Sequence, residues 1–289
     1  MKNFKAYLSL SAVILAGLGF ISCKKDRSDI KTDLLYDITV NGATATFTVK
    51  TAGVTNYQWD FGDGQTSTDA SPTHTYPGKG KYVPTLIAVV DGKKTEASAV
   101  LRISKLSPVK IDDQSLDDWA GVTKDVIPLG PKKGVFNNVK LDYDGNYIYL
   151  YGEMTGKRSD AVIFDIYLDS DNNPATGLLT GTFIGGGYDI LLEGPVLSQD
   201  LGIFYYNSTN QNDFSAFTPQ SITEAYNLGT VKEEGGVVRF EVRFARGKLK
   251  GLTGSGLRIA LQAIKNDWSA TLGNAPDEGT SSFFFDMSE

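Results

Sequence analysis

The sequence predicts an all-β protein built of two sandwich-like domains in series. Polar and apolar residues alternate over short stretches such as 44–49 and 239–244, the period expected of strands with one buried face. The chain also contains 31 Gly, 14 Tyr and 15 Phe, residue types that favour tight turns and strands. Beyond the N-terminal segment, no stretch has the periodicity of a long amphipathic helix. We therefore expect short strands joined by turns, with a smaller sandwich followed by a larger jelly-roll-like one.

The composition disfavours several classes of function. With 28 Lys and Arg against 34 Asp and Glu, the formal net charge is −6, which argues against nucleic acid as a partner. One His and one Cys cannot supply an internal disulfide or a Cys/His zinc cluster, and they leave little room for His-dependent nucleophilic catalysis. Carboxylate chemistry, calcium binding or simple ligand binding remain.

Residues 1–22 predict a secretory signal. Lys2 and Lys5 precede an uncharged run over 6–21, which is shorter than the roughly 20 residues that a membrane-spanning helix needs. We therefore expect export and cleavage rather than a permanent transmembrane anchor.

The segment Phe20-Ile21-Ser22-Cys23 resembles a bacterial lipobox, in which the Cys is acylated after cleavage. It departs from the usual pattern at Phe20, where Leu is common, and at Ser22, where Gly or Ala is common. The resemblance implies a lipid anchor on Cys23, and an ordinary signal peptide followed by a free thiol is the alternative. Residues 23–35 then predict a flexible tether, because their start is rich in Lys, Asp and Ser.

Residues 36–105 predict the first β-sandwich. They contain three turn and strand motifs, namely Trp59-Asp60-Phe61-Gly62-Asp63-Gly64, Ser71-Pro72-Thr73-His74-Thr75-Tyr76 and Gly80-Lys81-Tyr82. Together these motifs resemble the polycystic kidney disease (PKD) domain. The resemblance implies an immunoglobulin-like sandwich with Trp59 in its core and His74 as part of the turn architecture, so we expect a spacer rather than a catalytic domain.

Residues 106–289 predict the larger sandwich. The sequences over 111–119, 141–150 and 166–177 resemble carbohydrate-binding module family nine, although Asp113 stands where that family prefers Gly. The resemblance implies a β-sandwich that binds sugars between aromatic side chains without catalysis.

Sugar binding requires exposed aromatic rings, on which the apolar faces of sugars stack. Trp268 lies in a predicted loop and is our first candidate, with a loop anchor folded onto the core as the alternative. Trp119 is a second candidate, with packing as the alternative. Tyr205, Tyr206 and Asn207 are a third, with a sheet edge as the alternative.

Oxygen ligands at alternate positions predict a loop able to hold a hard cation. Asp169, Asp171 and Asn173 have this spacing, and Asp189 could complete the set. Pro174 occupies the sixth position, where an EF-hand needs Gly, so the resemblance to that loop fails. We expect either a structural calcium ion or an Asx turn, and no catalytic cofactor.

These features predict a monomeric lipoprotein on the outer membrane, exposed at the cell surface, that binds polysaccharide or oligosaccharide beside a SusC/SusD-like transporter complex. An adhesin or structural envelope protein without a sugar site is the alternative. A glycosidase or lyase is disfavoured, because the acids Glu153, Asp165 and Glu193 are scattered along the sequence and are expected in solvent or turns.

Overall fold

The computed structural model describes residues 33–288 and is all-β. The predicted signal peptide, Cys23 and most of the predicted tether lie outside the described residues. Leu34, placed in the tether by the sequence prediction, is instead buried in the first hydrophobic core. Over the described residues, no helix has the length and hydropathy needed to cross a membrane.

The first domain consists of short antiparallel strands in three small sheets, ordered β1-β2-β5, β4-β3-β7-β8 and β6-β9. The strands are β1 (Tyr36–Asn41), β2 (Thr44–Val49), β3 (Val54–Asp60), β4 (Thr66–Ser67), β5 (Thr73–Thr75), β6 (Gly80–Tyr82), β7 (Thr85–Val90), β8 (Lys93–Ser98) and β9 (Leu101–Ile103).

Aromatic residues fill the core of this domain, as the sequence motifs predict. Trp59 is buried, contacts Phe47 and donates its indole N–H to the carbonyl of Asp69 at 3.0 Å. His74 stacks on Phe61 with ring centroids 4.1 Å apart. Its Nε2 lies 2.7 Å from Oδ2 of Asp63, an ion pair when the imidazole is protonated. His74 therefore lies on β5 and has a structural role, because it packs on Phe61 and contacts Asp63 of the neighbouring turn.

The segment between the domains is attached to the second one. The Lys105 ammonium forms an ion pair with Asp142 of the second domain, and the Ser107 hydroxyl donates to the same carboxylate at 2.5 Å. Two donors thus satisfy a carboxylate that is buried.

The second domain consists of two antiparallel sheets, one ordered β10-β11-β17-β16 and the other β15-β14-β13-β12-β18-β19, with β20 also pairing with β18. Its strands are β10 (Phe136–Tyr143), β11 (Tyr147–Thr155), β12 (Ile163–Asp169), β13 (Ile190–Gly194), β14 (Gly202–Tyr206), β15 (Phe217–Gln220), β16 (Tyr226–Glu234), β17 (Val237–Ala245), β18 (Gly256–Ile264), β19 (Thr271–Ala275) and β20 (Phe283–Asp286). Four short 3-10 helices lie between strands of the described chain, at Asp117–Gly121, Arg158–Asp160, Val196–Ser198 and Phe214–Ala216.

The main core lies between the two sheets. It combines apolar side chains of the four-stranded sheet, such as Leu150 and Val242, with those of the seven-stranded sheet, such as Ile166, Leu192 and Leu261. Because side chains alternate along each strand, each sheet also has an outer face, directed away from the main core. Other segments of the chain cover both of these outer faces.

On the four-stranded sheet, the outer face carries the tyrosine stripe of β11. Tyr149 and Tyr151 are buried beneath Val109, Ile111 and Trp119 of the segment that enters the domain, and Tyr147 packs at the edge of this cluster. The tyrosine stripe therefore lines a core and is not a surface platform.

Candidate functional site

The connection between β12 and β13 folds back over the outer face of the seven-stranded sheet. Its apolar residues Leu178, Phe183 and Tyr188 are buried against Tyr167 and Leu191 of that face. This packing fixes both ends of the connection, which carry the acidic residues predicted as metal ligands.

All three of these acids meet at one end of the sheet. Asp169 ends β12 and Asp189 immediately precedes β13, and because the two strands are antiparallel neighbours these residues lie side by side. The backbone N–H of Asp189 donates to the carbonyl of Leu168 at 2.9 Å, which fixes the pairing. Asp171 joins them, and one carboxylate oxygen from each of the three lies within 4.8 Å of the others.

The polar loop holds these carboxylates in place. Asp189 Oδ2 accepts from both the backbone N–H and the hydroxyl of Ser170 at 3.0 Å. The backbone N–H of Asn173 donates to Asp169 Oδ1 at 3.1 Å and to Asp171 Oδ1 at 2.9 Å. The Asn173 side chain accepts from the N–H of Ala175 at 3.1 Å, as in an Asx turn, so its side-chain oxygen serves the loop.

Burial makes this cluster electrostatically costly. It raises the pKa of Asp169 to about 6, against the lowering effect of the Asn173 N–H, and the nearby Asp189 and Asp171 carboxylates raise it further. Burial also raises the pKa of Asp189, with Asp171 adding to the effect. Close carboxylates of this kind favour either a proton or a cation.

A pocket of about 280 Å³ opens beside the cluster. Its lining includes Asp171, Asp189, Tyr205, Tyr206 and Lys250. The structure therefore brings the predicted tyrosines and the predicted acidic loop into one site, which the sequence treated as two.

The two tyrosines are only partly available to a ligand, because adjacent residues of β14 face opposite sides of the sheet. Tyr205 packs against the main core, and its hydroxyl accepts from the backbone N–H of Lys250 at 2.9 Å. Tyr206 packs on Phe217 with ring centroids 5.1 Å apart. Asn207 is exposed, and its backbone N–H donates to the carbonyl of Ala216 at 3.1 Å.

Trp268 is 55% exposed at the tip of the turn that joins β18 to β19. Its backbone N–H donates to the carbonyl of Lys265 at 2.8 Å, and its φ of 62° lies in the left-handed region. Asp267 strengthens the turn by accepting from the Ser269 N–H at 3.0 Å and by pairing with the Lys265 ammonium at 2.7 Å. A bulky residue rarely adopts this backbone conformation, so placing Trp268 at this position has an energetic cost.

Trp268 and the acidic pocket lie at opposite ends of one sheet. On β18, Ile264 pairs with Ile163, whereas Arg258 pairs with Asp169. Six residues of extended strand separate the two ends, a distance of about 20 Å. The predicted aromatic ligand residues therefore do not share one rim.

Trp119 does not fit the predicted ligand-binding role, because it is only 2% exposed. Its indole N–H donates to Glu241 Oε2 at 2.8 Å, and its ring lies 5.6 Å from that of Tyr151. Glu241 is fully buried, and burial raises the pKa of this carboxyl. Trp119 closes the outer face of the four-stranded sheet and satisfies a buried carboxyl group, so it is a packing residue.

The structure also pairs two acids that the sequence analysis left scattered. Asp165 on β12 lies directly across from Glu193 on β13, on the outer face of the seven-stranded sheet. Asp165 is 4% exposed, and its Oδ2 accepts from the Tyr167 hydroxyl at 3.1 Å. Burial raises the pKa of Asp165 to about 7, and the facing Glu193 carboxyl contributes. Two facing carboxylates repel each other, which favours the protonation of one member of the pair.

Comparison with known proteins identifies the first domain. Residues 35–104 match the PKD domain family. Collagenase ColA of Bacillus cereus is 39% identical over 66 residues, which are 23% of this chain and 6% of the collagenase. Collagenase ColQ1 of Bacillus cereus is 39% identical over 51 residues, 17% of this chain and 5% of that enzyme. The chain thus spans only a small part of the curated relatives it matches.

Solved structures give likenesses to both domains. The PKD1 domain of the Vibrio cholerae metalloprotease PrtV is 31% identical with a TM-score of 0.23, over 24% of this chain and 93% of that one. A structure of promiscuous carbohydrate-binding modules of the β-sandwich superfamily is 11% identical with a TM-score of 0.26, over 73% of this chain and 90% of that one. The family match makes residues 35–104 a PKD domain, and the two sheets of residues 106–288 form a larger β-sandwich.

Proposed function

We propose that the chain is a lipid-anchored protein of the outer-membrane surface that binds glycan without cleaving it and assists polysaccharide capture beside a SusC/SusD-like transporter. The lipobox-like sequence around Cys23 supports the anchor. The PKD domain, placed between that segment and the larger sandwich, supports a spacer role.

The exposed ring of Trp268 is the observation that carries the glycan-binding proposal. The ring is 55% exposed, and a tight, hydrogen-bonded turn fixes the backbone that carries it. An exposed, flat aromatic surface suits the apolar face of a sugar ring.

The arrangement of acids supports binding rather than hydrolysis. Glycosidases need two carboxyl groups about 5 to 9.5 Å apart on either side of the scissile bond. Asp165 and Glu193 instead face each other across two adjacent strands, and Asp165 is only 4% exposed. A carboxyl group buried in this way has no access to a glycosidic bond in solvent.

A lipid anchor would make weak binding useful. Molecules confined to a membrane meet the same polysaccharide repeatedly, so the effective concentration is high and avidity exceeds single-site affinity. A single exposed aromatic platform is therefore sufficient for capture at a surface.

An adhesin or structural envelope protein without a sugar site is the second candidate. The distance between Trp268 and the tyrosines of β14 favours it, because they cannot form one extended aromatic platform. In this case Trp268 would contact another protein rather than a sugar.

Binding measurements on residues 24–289 decide between the two. Calorimetry against a panel of polysaccharides, with and without a calcium chelator, is expected to give binding that Trp268→Ala abolishes. Phe214→Ala is the matched control, since Phe214 is also an exposed aromatic residue, 51% accessible, and is expected to leave binding unchanged. Absence of binding by a folded chain across the panel would favour the adhesin, and release of new reducing ends would reveal an enzyme.

A further inference from the structure

We propose that Asp169, Asp171 and Asp189 form a binding site for a divalent cation, Ca²⁺, in the wall of the pocket beside Tyr205 and Tyr206. The proposal is independent of glycan binding. It rests on the positions of the three carboxylates, on one buried oxygen and on the charges around them.

The spacing of the carboxylates fits one ion. Ca²⁺ is bound by oxygen at 2.3 to 2.6 Å, so two ligands on opposite sides of it are about 4.6 to 5.2 Å apart. One oxygen from each of the three acids lies within 4.8 Å of the others, so all three can reach a single ion with little movement. The donors are all oxygen, which suits a hard cation rather than zinc.

A buried oxygen of Asp169 provides an independent indication. Asp169 is fully buried, and its Oδ2 has no hydrogen-bond partner among the described residues. A buried acceptor without a partner costs about 1 to 3 kcal/mol, and more when it is charged. The Asp169 oxygen that is hydrogen-bonded is Oδ1, which accepts from Asn173, so Oδ2 is left for an ion.

The surrounding charges do not neutralise the cluster. Within residues 33–288, no Lys, Arg or His nitrogen lies within 4.0 Å of these three carboxylates. Arg258 is the neighbour of Asp169 on β18, but its guanidinium donates to Asn172 and to the carbonyl of Ser282 instead. Three acids without a cationic side chain in contact are the arrangement that a bound cation stabilises.

The pocket leaves the ion accessible. Asp171 is exposed and Asp189 is half-buried, and both line the pocket together with Ser170 and Gly251. Ca²⁺ takes six to eight oxygen ligands, more than the three acids supply while they also hold the loop. Water can complete the coordination from the pocket side.

The test measures cation binding to the purified full chain without any sugar. Titration with Ca²⁺ in a calorimeter is expected to show one site, and Ca²⁺ is expected to raise the melting temperature. Tb³⁺, a luminescent substitute for Ca²⁺, is expected to emit on excitation of the adjacent tyrosines, and excess Ca²⁺ should quench that emission by competition.

Variants locate the site. Asp171→Asn changes an exposed side chain, so the chain should fold, and we expect at least a tenfold loss of Ca²⁺ affinity and loss of Tb³⁺ emission. Asp189→Asn is expected to behave likewise. Asp200→Asn removes an exposed carboxylate elsewhere and should leave both signals unchanged.

Two results would overturn the proposal. One is a folded wild-type chain that gives neither Ca²⁺ heat nor Tb³⁺ emission. The other is a cation signal that survives in both Asp171→Asn and Asp189→Asn. Glycan binding is measured separately, so either function can fail without the other.

Discussion

Replacement of Trp268 by Gly and by Ala separates the role of its ring from the cost of its backbone. Both variants remove the exposed ring, and both are expected to lose glycan binding. They differ at one point, because Gly adopts the left-handed conformation freely whereas Ala does not. The φ of 62° at this position predicts that the two variants differ in stability.

The expected difference in stability between the two variants follows from the backbone conformation at position 268. A non-glycine residue in the left-handed region costs about 1 to 2 kcal/mol, and Gly avoids this cost. Gly also gives the unfolded chain more freedom, which offsets about 0.4 to 1 kcal/mol of that gain. We therefore expect Trp268→Gly to be about 1 kcal/mol more stable than Trp268→Ala, a difference of about 2 to 4 °C in melting temperature.

The assay is urea unfolding of both variants and the wild type, followed by circular dichroism, together with polysaccharide binding. An Ala variant as stable as the Gly variant would show that the turn does not hold residue 268 in the left-handed region. Binding retained by the Gly variant would refute the assignment of Trp268 as the sugar platform.

Three further predictions concern buried polar groups and close packing. In the folded wild type the pKa of Asp165 is about 7, above the ordinary value of 3.8, so the free energy of unfolding should fall by up to about 4 kcal/mol as the pH rises from 4 to 7. Asp165→Asn should flatten this pH dependence, as measured by denaturant titrations across that range. An unchanged pH profile in this variant would show that the pKa of Asp165 is not raised in the folded protein. Trp119→Phe removes the N–H that satisfies buried Glu241 and should lower the free energy of unfolding by about 2 to 4 kcal/mol; a loss below about 1 kcal/mol in urea would contradict the packing role. Gly187→Ala places a methyl group against carbonyl oxygens of the acidic loop and should weaken Ca²⁺ binding at least tenfold by calorimetry. Gly247→Ala meets no atom within 4 Å and is the control, and equal affinities in the two variants would contradict the packed loop.

Local patterns were sufficient to predict the strands and the first domain. In the sequence, Tyr149 and Tyr151 alternate with Leu150, which puts them on opposite faces of β11. These two faces contribute to two different cores. The turn motifs around Trp59 and His74 likewise predicted a PKD domain, because each motif fixes its own backbone within a few residues.

The role of Trp119 could not be predicted in the same way. The residue lies outside any strand, and its burial depends on the segment that carries it packing over the tyrosines of β11. Its hydrogen bond joins it to Glu241, which is 122 positions away. Sequence spacing near Trp119 contains no signal of that contact.

Asp165 and Glu193 show the same limit for charged residues. Apart from Asp169 at its end, the strand containing Asp165 consists of aliphatic and aromatic residues, and an acid in such a run signals burial. The identity of its partner depends on the register between β12 and β13, which the long connection between them sets. Both acids were therefore expected in solvent or turns, although they form a pair on a sheet face.

The separation of Trp268 from the acidic pocket follows from antiparallel geometry. Residues before and after one strand lie at opposite ends of its sheet, and β18 connects to Trp268 at one end while its other end lies beside Asp169. The tyrosines join the acids because β14 ends where β13 begins, at the Asp169 end of the sheet. One ligand cannot stack on Trp268 and enter the pocket unless it spans about 20 Å, which several sugar units in an extended chain can do and a single sugar cannot. If both ends bind the same ligand, that ligand contains at least several sugar units. If a mono- or disaccharide saturates binding, only one end is the sugar site.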